Sequence, residues 1–182
     1  MATASPERVT YDWAVPGRQV TVHHDVHPPI APPPALPLPA LVAISVDDQP
    51  NVDPAFQRIS FAFRGAFPQY NLQYVRALTA EGSAEAIPLE GNGVLRIGFV
   101  DAQAHDDTGA STVEVAPKNP IGFHNLKSYA SAGDFEGHVT YGLGIQVAPA
   151  SDQVLRIRAS EQTLLDEAGG TRYVIHIDIE RG

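Results

Sequence analysis

Histidine and aspartate are concentrated in residues 22–27, which read Val-His-His-Asp-Val-His. On an extended strand alternate side chains share a face, so His23, Asp25 and His27 would lie together. Imidazole and carboxylate groups are ligands for divalent transition metals. Neighbours on one strand face are about 6.5–7 Å apart, so a tetrahedral ion would need a further ligand from another element. The residues therefore fit a metal site at His23, Asp25 and His27, or a solvated polar face, which this spacing favours.

A second polar set consists of Asp134, Glu136 and His138. It lies within Gly133–Val147, where apolar and polar residues alternate with a period of two. This alternation predicts one long central strand with Phe135 on the buried face and the polar set on the other. A carboxylate beside a histidine could perform acid–base chemistry or hold a metal. Paired charges on a solvent-facing strand are the simpler interpretation, and we favour it.

Motifs that would indicate an enzyme are missing from the sequence. It contains no G-x-S-x-G or H-E-x-x-H motif, no phosphate-binding loop and no dinucleotide fingerprint. The chain has no cysteine, which excludes a thiol nucleophile and a disulfide. We therefore expect a non-catalytic protein without a cofactor. The enzymatic alternative is a hydrolase or cyclase whose interior pocket uses Glu136, His138 or His124 as an acid–base group.

The charge of the chain restricts its partners. There are 12 basic against 21 acidic residues and the net charge is −9, without a cluster of basic residues. This charge disfavours binding to nucleic acid and to anionic membrane surfaces. The longest apolar stretch, residues 30–46, is interrupted by prolines and cannot cross a bilayer as a helix. No signal-peptide pattern is visible. The expected location is the cytoplasm, or the cell envelope if a leader has been removed.

The distribution of proline and glycine suggests three parts. Residues 1–27 predict two short strands joined at Pro16-Gly17 as a hairpin. Residues 28–40 are rich in proline, which fixes φ and favours an extended polyproline II linker or docking arm. Residues 41–182 form the main domain. Apolar side chains of the N-terminal part, which are the candidate contacts to another surface, are Trp13, Ile30, Leu36 and Leu38.

Short alternating runs separated by turn residues dominate residues 41–182. About ten strands are predicted, together with one short helix over residues 160–168, where Ser160 could cap the N-terminus and Gly169 could end the helix. This pattern is typical of an all-β protein. The predicted fold is an antiparallel β-sandwich or a partly closed barrel with an extended proline-rich N-terminal arm.

Several of these runs resemble one family. They are RISFAFRG at residues 58–65, PQYNLQYV at residues 68–75, GNGVLRI at residues 91–97, DFEG at residues 134–137, TYGLG at residues 140–144 and RYVIHIDI at residues 172–179. Together they resemble the AMIN-like domain of many actinobacterial proteins, over Leu41 to Ile179. The resemblance implies a β-sandwich and a non-catalytic role. AMIN domains themselves hold partner proteins at the cell envelope or bind peptidoglycan.

These observations predict a binding or assembly module. It would dock onto protein partners, or onto its own copies, through the N-terminal arm and the edges of its sheets. The alternative binding function is recognition of cell-wall peptidoglycan by aromatic and polar side chains on an exposed sheet face.

Overall fold

A computed structural model describes residues 3–24, 38–148 and 154–182. The regular structure of these residues consists of β-strands. They are β1 Thr3–Ala4, β2 Arg8–Ala14, β3 Val20–Val22, β4 Ala40–Gln49, β5 Phe56–Arg64, β6 Gln69–Val75, β7 Leu78–Thr79, β8 Ala86–Ile87, β9 Gly93–Val100, β10 Leu126–Phe135, β11 His138–Ile145, β12 Ile157–Leu165 and β13 Thr171–Glu180.

The strands form two main antiparallel sheets. Sheet A has the order β1-β12-β13-β5-β4, and β2 pairs with the same edge of β12 as β1. Sheet B has the order β10-β11-β9-β6-β3, and β7 pairs with β8 separately. The sheets are open and pack face to face, so the all-β sandwich is confirmed and the barrel alternative is wrong.

Large side chains from both sheets fill the space between them. Phe61 and Phe63 of β5 lie on the buried face because strand side chains alternate. Both contact Phe99 of β9, with ring centroids 5.1 and 4.9 Å apart, and Phe61 also contacts Tyr141 of β11 at 5.4 Å. These tilted contacts are favourable for aromatic rings. They occupy the interior where the enzymatic alternative would place its pocket.

The predicted N-terminal hairpin does not form. β2 pairs with β12 in sheet A, whereas β3 pairs with β6 in sheet B, so residues 15–19 cross from one sheet to the other. Short-range turn signals at Pro16-Gly17 correctly indicate a chain reversal. They carry no information about which distant strand offers an edge. The predicted domain boundaries at residues 27 and 40 remain predictions.

The stretch Gly133–Val147 is a hairpin, and the prediction of one long strand is wrong. Its turn consists of Glu136 and Gly137, with φ of +49° and +78°, as a two-residue type I′ turn requires. Phe135 pairs with His138, so these two side chains share the outer face. The odd-numbered residues of β11 face the core, whereas Phe135, although odd-numbered, faces outward before the turn. Phe135 is therefore 67% exposed and not buried.

The predicted helix over residues 160–168 is also wrong. Residues 157–165 form β12, which pairs with β13 on one side and with β1 and β2 on the other. Ser160 and Glu161 are buried in this strand, although their types suit a helix N-terminus. Strand pairing on both sides outweighs a local capping preference.

Two glycines of β11 allow residues 78–90 to lie close against the outer face of sheet B. A Cβ on Gly142 would be 2.5 Å from Leu78 Cδ2, and a Cβ on Gly144 would overlap the carbonyl oxygen of Glu90. Leu78 is buried as a result, and the Glu90 amide donates to Ser128 Oγ at 2.8 Å. The glycine-lined face is therefore covered by the chain itself.

The part of the chain that the structure describes contains no helix that is long and apolar enough to cross a membrane.

Candidate functional site

Each sheet has two edges, and the chain covers one edge of each. The β4 edge of sheet A is covered by residues 103–115, through bonds from the Leu41 amide to the Gln103 carbonyl and from the Ile44 amide to the Val115 carbonyl, both 2.8 Å. The β10 edge of sheet B is covered near Tyr129, whose carbonyl accepts from Asn119 Nδ2 at 2.7 Å. Such coverage prevents uncontrolled strand pairing.

The other two edges, formed by β2 and β3, lie on the same side of the sandwich. Among the described residues, no segment pairs with the outward side of either strand. The two strands are joined by residues 15–19. An open groove of about 420 Å³ lies at this junction, lined by Tyr11, Val15, Pro16, Gly17, Arg18 and Val20.

The groove is mainly apolar and has one cation at its rim. Val15 is 41% exposed, and burial raises the pKa of the half-buried Tyr11 phenol. Among the described residues, no carboxylate lies within ion-pair distance of Arg18. This combination suits an extended chain with apolar side chains and one carboxylate.

Glu161 lies further along the same side and connects both N-terminal strands to the body of the sandwich. Its side chain is only 2% exposed, yet its carboxylate accepts from Arg8 of β2 and contacts His24 Nε2, which follows β3. The Tyr70 hydroxyl of β6 donates to Glu161 Oε1 at 3.1 Å. Thr10 Oγ1 lies 2.6 Å from the same hydroxyl.

The protonation of Tyr70 determines how these groups are hydrogen-bonded. Burial, with a smaller contribution from Glu161, raises the pKa of Tyr70 far above its usual range, so the phenol stays protonated. Its single proton points to Glu161, and therefore Thr10 donates to the Tyr70 oxygen. The carboxylate has partners on both oxygens, which is the arrangement that a buried charge requires. This cluster acts as a structural anchor.

The N-terminal side chains that were predicted to contact another surface lie in different parts of the structure. Trp13 is half-buried on the outer face of sheet A, where its ring centroid is 6.2 Å from Phe56 and 4.8 Å from Arg158 Cζ. Leu38 is half-buried, and its Cδ1 would be 3.5 Å from a Cβ at Gly137. Ile30 and Leu36 lie outside the described residues.

The predicted metal ligands are only partly described. His23 Nδ1 lies 3.1 Å from Gln69 Oε1, and Asp25 and His27 lie outside the described residues. Within the described ranges, no group of three or more His, Asp or Glu side chains could hold a metal ion. The metal site at His23, Asp25 and His27 remains a prediction.

The predicted acid–base residues lie near the β10–β11 turn. Asp134 Oδ2 is 2.6 Å from His105 Nδ1, and its Oδ1 accepts from the Ala104 amide at 3.2 Å. Glu136 is exposed within the turn and His138 is exposed at the start of β11. Neither is hydrogen-bonded to Asp134. His124, the other candidate, has its Nε2 2.9 Å from the Gly182 carbonyl.

The hydrogen bond between Tyr70 and Glu161 was not predicted from the sequence. The available signal was the alternation of Ile157, Ala159 and Glu161, which places a carboxylate at a buried position of a strand. A buried carboxylate requires partners from other elements. The prediction of a helix over residues 160–168 concealed this alternation.

A scan against protein-family models matches residues 50–173 to the AMIN-like domain. Searches of curated proteins and of solved structures found no match. β1 to β4 precede the matched residues, so Arg8, Thr10, His24 and the groove lie outside the match, whereas Tyr70 and Glu161 lie inside it. The match covers more than half of the chain and agrees with its open antiparallel sandwich, and the chain therefore belongs to the AMIN-like domain family.

Proposed function

We propose that the chain is a non-catalytic binding module that docks onto a partner protein through the open edges of β2 and β3. An AMIN-like sandwich is consistent with a binding module. The observation that carries the proposal is the difference between the edges. Residues 103–115 and Asn119 cover β4 and β10, whereas the described residues leave the outward sides of β2 and β3 unpaired.

Unpaired strand edges offer backbone donors and acceptors to an added strand. The groove beside them would accept apolar side chains of that strand, and Arg18 would pair with a carboxylate of the partner. Backbone pairing supplies affinity in this mode, and the groove supplies specificity. The partner is therefore an extended protein segment with apolar residues and at least one acidic residue.

Site-specific photo-crosslinking in the cells that produce the protein tests this proposal. A benzophenone amino acid replaces Val15 in the groove or, as the control, Val115, which is 62% exposed on the segment that covers the opposite edge. A discrete partner crosslinked only from position 15 is expected. Equal products from both positions would contradict the proposal.

Binding of that partner is then measured with purified proteins. Val15→Lys and Arg18→Glu are expected to weaken binding at least tenfold, because the first places a charge in the apolar groove and the second reverses the charge at its rim. Val115→Lys is the matched control and should leave affinity unchanged. Loss of affinity in all three variants would exclude docking at this edge.

Cell-wall glycan is a second candidate because two aromatic side chains, Trp13 and Phe56, lie half-exposed on the outer face of sheet A. Sugars stack on such rings, although the Arg158 guanidinium already lies 4.8 and 5.0 Å from their centroids. Co-sedimentation with purified peptidoglycan tests this candidate. Retention that Trp13→Ala abolishes would support it, and absence of retention would remove it.

A further inference from the structure

A buried histidine lies on the outer face of sheet A, beneath the first residues of the chain. His176 of β13 is 7% exposed, and its partners in the strand register are Ser160 of β12 and Ser60 of β5. Glu7 spans these strands, because its carboxylate accepts from Ser160 Oγ at 3.3 Å and from Arg58 of β5 at 2.6 Å. Glu7 therefore lies over the part of sheet A that contains the imidazole.

A chain of hydrogen bonds connects the N-terminal residues with this imidazole. Gln162 Nε2 donates to the Ser5 carbonyl at 2.8 Å, so the amide oxygen of Gln162 is the atom that faces His176 Nε2, 3.2 Å away. An amide oxygen only accepts, and therefore Nε2 carries the imidazole proton. Nδ1 then accepts from the Ser60 hydroxyl at 2.7 Å. A second proton would sit on Nδ1, where the Ser60 hydroxyl would have to stop donating.

The charged side chains around this imidazole come from each of the elements packed against it. They are Glu7 of the N-terminal residues, Arg58 of β5, Arg158 of β12 and Asp178 of β13. Both carboxylates are bonded to arginines, since Arg58 donates to Glu7 and to Asp178, and Arg158 donates to Asp178 at 2.7 Å. Burial, followed by the positive charge of Arg58, lowers the pKa of His176 to about 4, and the two carboxylates oppose this only partly.

The segment above His176 is held by few contacts. β1 pairs with β12 through two residues, Thr3 and Ala4, and the Ser5 amide donates to the Thr163 carbonyl at 2.9 Å. Residues 3, 4, 6 and 7 are exposed, so little apolar burial holds them in place. Once this segment leaves, water reaches the imidazole, and a solvated histidine has a pKa of about 6.5. Proton binding therefore favours the released state.

We propose that His176 is a pH sensor that, when protonated, releases residues 3–7 from sheet A and uncovers the edge of β12 at residues 163–165. Arg8, which is bonded to Glu161, marks the end of the released segment, and the rest of β2 stays paired with β12. An edge that is covered at neutral pH thus becomes available to another strand in mild acid. The inference involves only contacts within the chain, so it is independent of the docking site proposed above.

Amide hydrogen exchange, measured by NMR at pH 7 and pH 5 and corrected for intrinsic exchange rates, tests the release. The reporters are the Ser5 amide and the Thr163 amide, which donates to Ser5 Oγ at 2.9 Å. A pKa of about 4 in the closed state and about 6.5 in the released state predicts that their protection falls by up to about twentyfold. They should also exchange faster than the amides of β9 at both pH values, which indicates a local opening. Protection that does not fall, or that equals the protection of β9, would overturn the proposal.

Three variants identify the group that responds to pH. His176→Gln should abolish the fall in Ser5 protection, because glutamine does not titrate. His105→Gln is the matched control, since His105 contacts Asp134 near the opposite edge of sheet A, and it should keep the fall. Glu7→Gln should also keep it, because the imidazole remains. A fall that persists in His176→Gln, or that disappears in Glu7→Gln alone, would assign the response to another group and contradict the proposal.

Titration of the imidazole in the natural chain provides a test that needs no variant. The NMR signals of the His176 ring are followed from pH 8 to pH 4, together with the protection of the Ser5 amide. We expect the ring to titrate below about pH 6 and the protection to fall over the same range. A ring that titrates near its ordinary pKa of about 6.5 would show that the N-terminal residues do not hold it neutral, and it would exclude the sensor.

Discussion

Glu161 illustrates how one side chain can connect several elements. It lies on the buried face of β12, where an isolated carboxylate would be strongly unfavourable. Arg8 and His24 approach it from the N-terminal residues, and Tyr70 approaches it from β6. Removing the charge from Glu161 weakens three contacts together, so its effect should exceed that of a surface ion pair.

Glu161→Gln is expected to lower the free energy of unfolding by about 1–3 kcal/mol, because charged hydrogen bonds in a buried position are replaced by neutral ones. The matched control is Glu180→Gln, since Glu180 pairs with the half-exposed Arg156, and it should cost no more than about 1 kcal/mol. Denaturant unfolding of both variants measures the difference. Equal effects would show that the buried cluster contributes no more to stability than the half-exposed pair.

His176 is a second buried polar side chain, on the outer face of sheet A beneath the N-terminal residues. Its Nδ1 lies 2.7 Å from Ser60 Oγ, and its Nε2 lies 3.2 Å from Gln162 Oε1. Burial, followed by the nearby positive charge of Arg58, lowers the pKa of His176 to about 4. The folded protein therefore holds this imidazole in its neutral form.

The stability of the protein should consequently fall between pH 6.5 and 4. The pKa of His176 is about 4 in the folded chain and about 6.5 in the unfolded chain, so the unfolded chain binds the proton more readily and its population rises as the pH falls. The expected loss is about 2–3 kcal/mol. Glu7, whose pKa is lowered mainly by its hydrogen bond with Arg58, adds to the loss in the acidic part of this range.

His176→Gln separates this contribution, because glutamine does not titrate. Urea unfolding at pH 7, 6 and 5 should show a clearly smaller loss of stability in the variant than in the natural chain. A pH dependence that is identical in both proteins would mean that another group causes it.

The inward residues of single strands could be predicted from the sequence, and the polar clusters could not. The alternation in residues 57–64 and 70–77 indicates that Phe61, Phe63 and Leu72 lie on a buried face, and each is fully buried. Period-two alternation is local, so it needs no knowledge of neighbouring strands. The Glu161 contacts join residues up to 153 positions apart, and no local pattern specifies them.

At the level of strands and turns, the glycines of β11 are positions where a side chain would meet closely packed neighbours. Gly144→Ala would place a methyl group against the Glu90 carbonyl and Ser128 Oγ, so the backbone at residue 90 or in β11 would have to shift. We expect a loss of about 2–4 kcal/mol. Gly17→Ala is the control, since no atom lies within 4 Å of its Cβ position and its backbone is not in the left-handed region. Thermal melting should leave Gly17→Ala near the natural value; an equally mild effect of Gly144→Ala would contradict this close packing.

Two predictions of secondary structure failed for the same physical reason. In Gly133–Val147, alternation continues on both sides of the Glu136-Gly137 turn, so the sequence pattern resembles a single strand. In β12, Ser160 and Glu161 resemble a helix start, but β13 and β2 pair with this segment. Local patterns report the preferences of a segment, and its partners come from elsewhere in the chain.

The whole molecule combines a family core with an added N-terminal part. The sandwich and the AMIN-like family could both be recognised from the sequence, and the family match covers residues 50–173. The role of residues 3–24 could not be recognised from the sequence, because it depends on which edges of the two sheets remain available for pairing. These residues extend both sheets of the sandwich, so they should contribute to its stability.

Removal of residues 1–24 is therefore expected to expose the edges of β12 and β6 and to leave Glu161 without Arg8 and His24. The truncated chain should melt at a lower temperature and aggregate, since open edges pair readily. A synthetic peptide of residues 3–24 should restore the melting temperature, and a scrambled peptide should not. A truncated chain as stable as the natural one would show that these strands are dispensable.

The position of Glu161 also has a consequence for comparative genomics. This carboxylate lies within the family match, whereas Arg8 and His24, which contact it, lie outside. A related protein without the N-terminal strands would lack Arg8, the cation that pairs with this carboxylate, and so would have less reason to keep an acidic group at this position. Across genomes, an acidic residue at this position should therefore co-occur with an N-terminal extension, and its identity would indicate which relatives share this architecture.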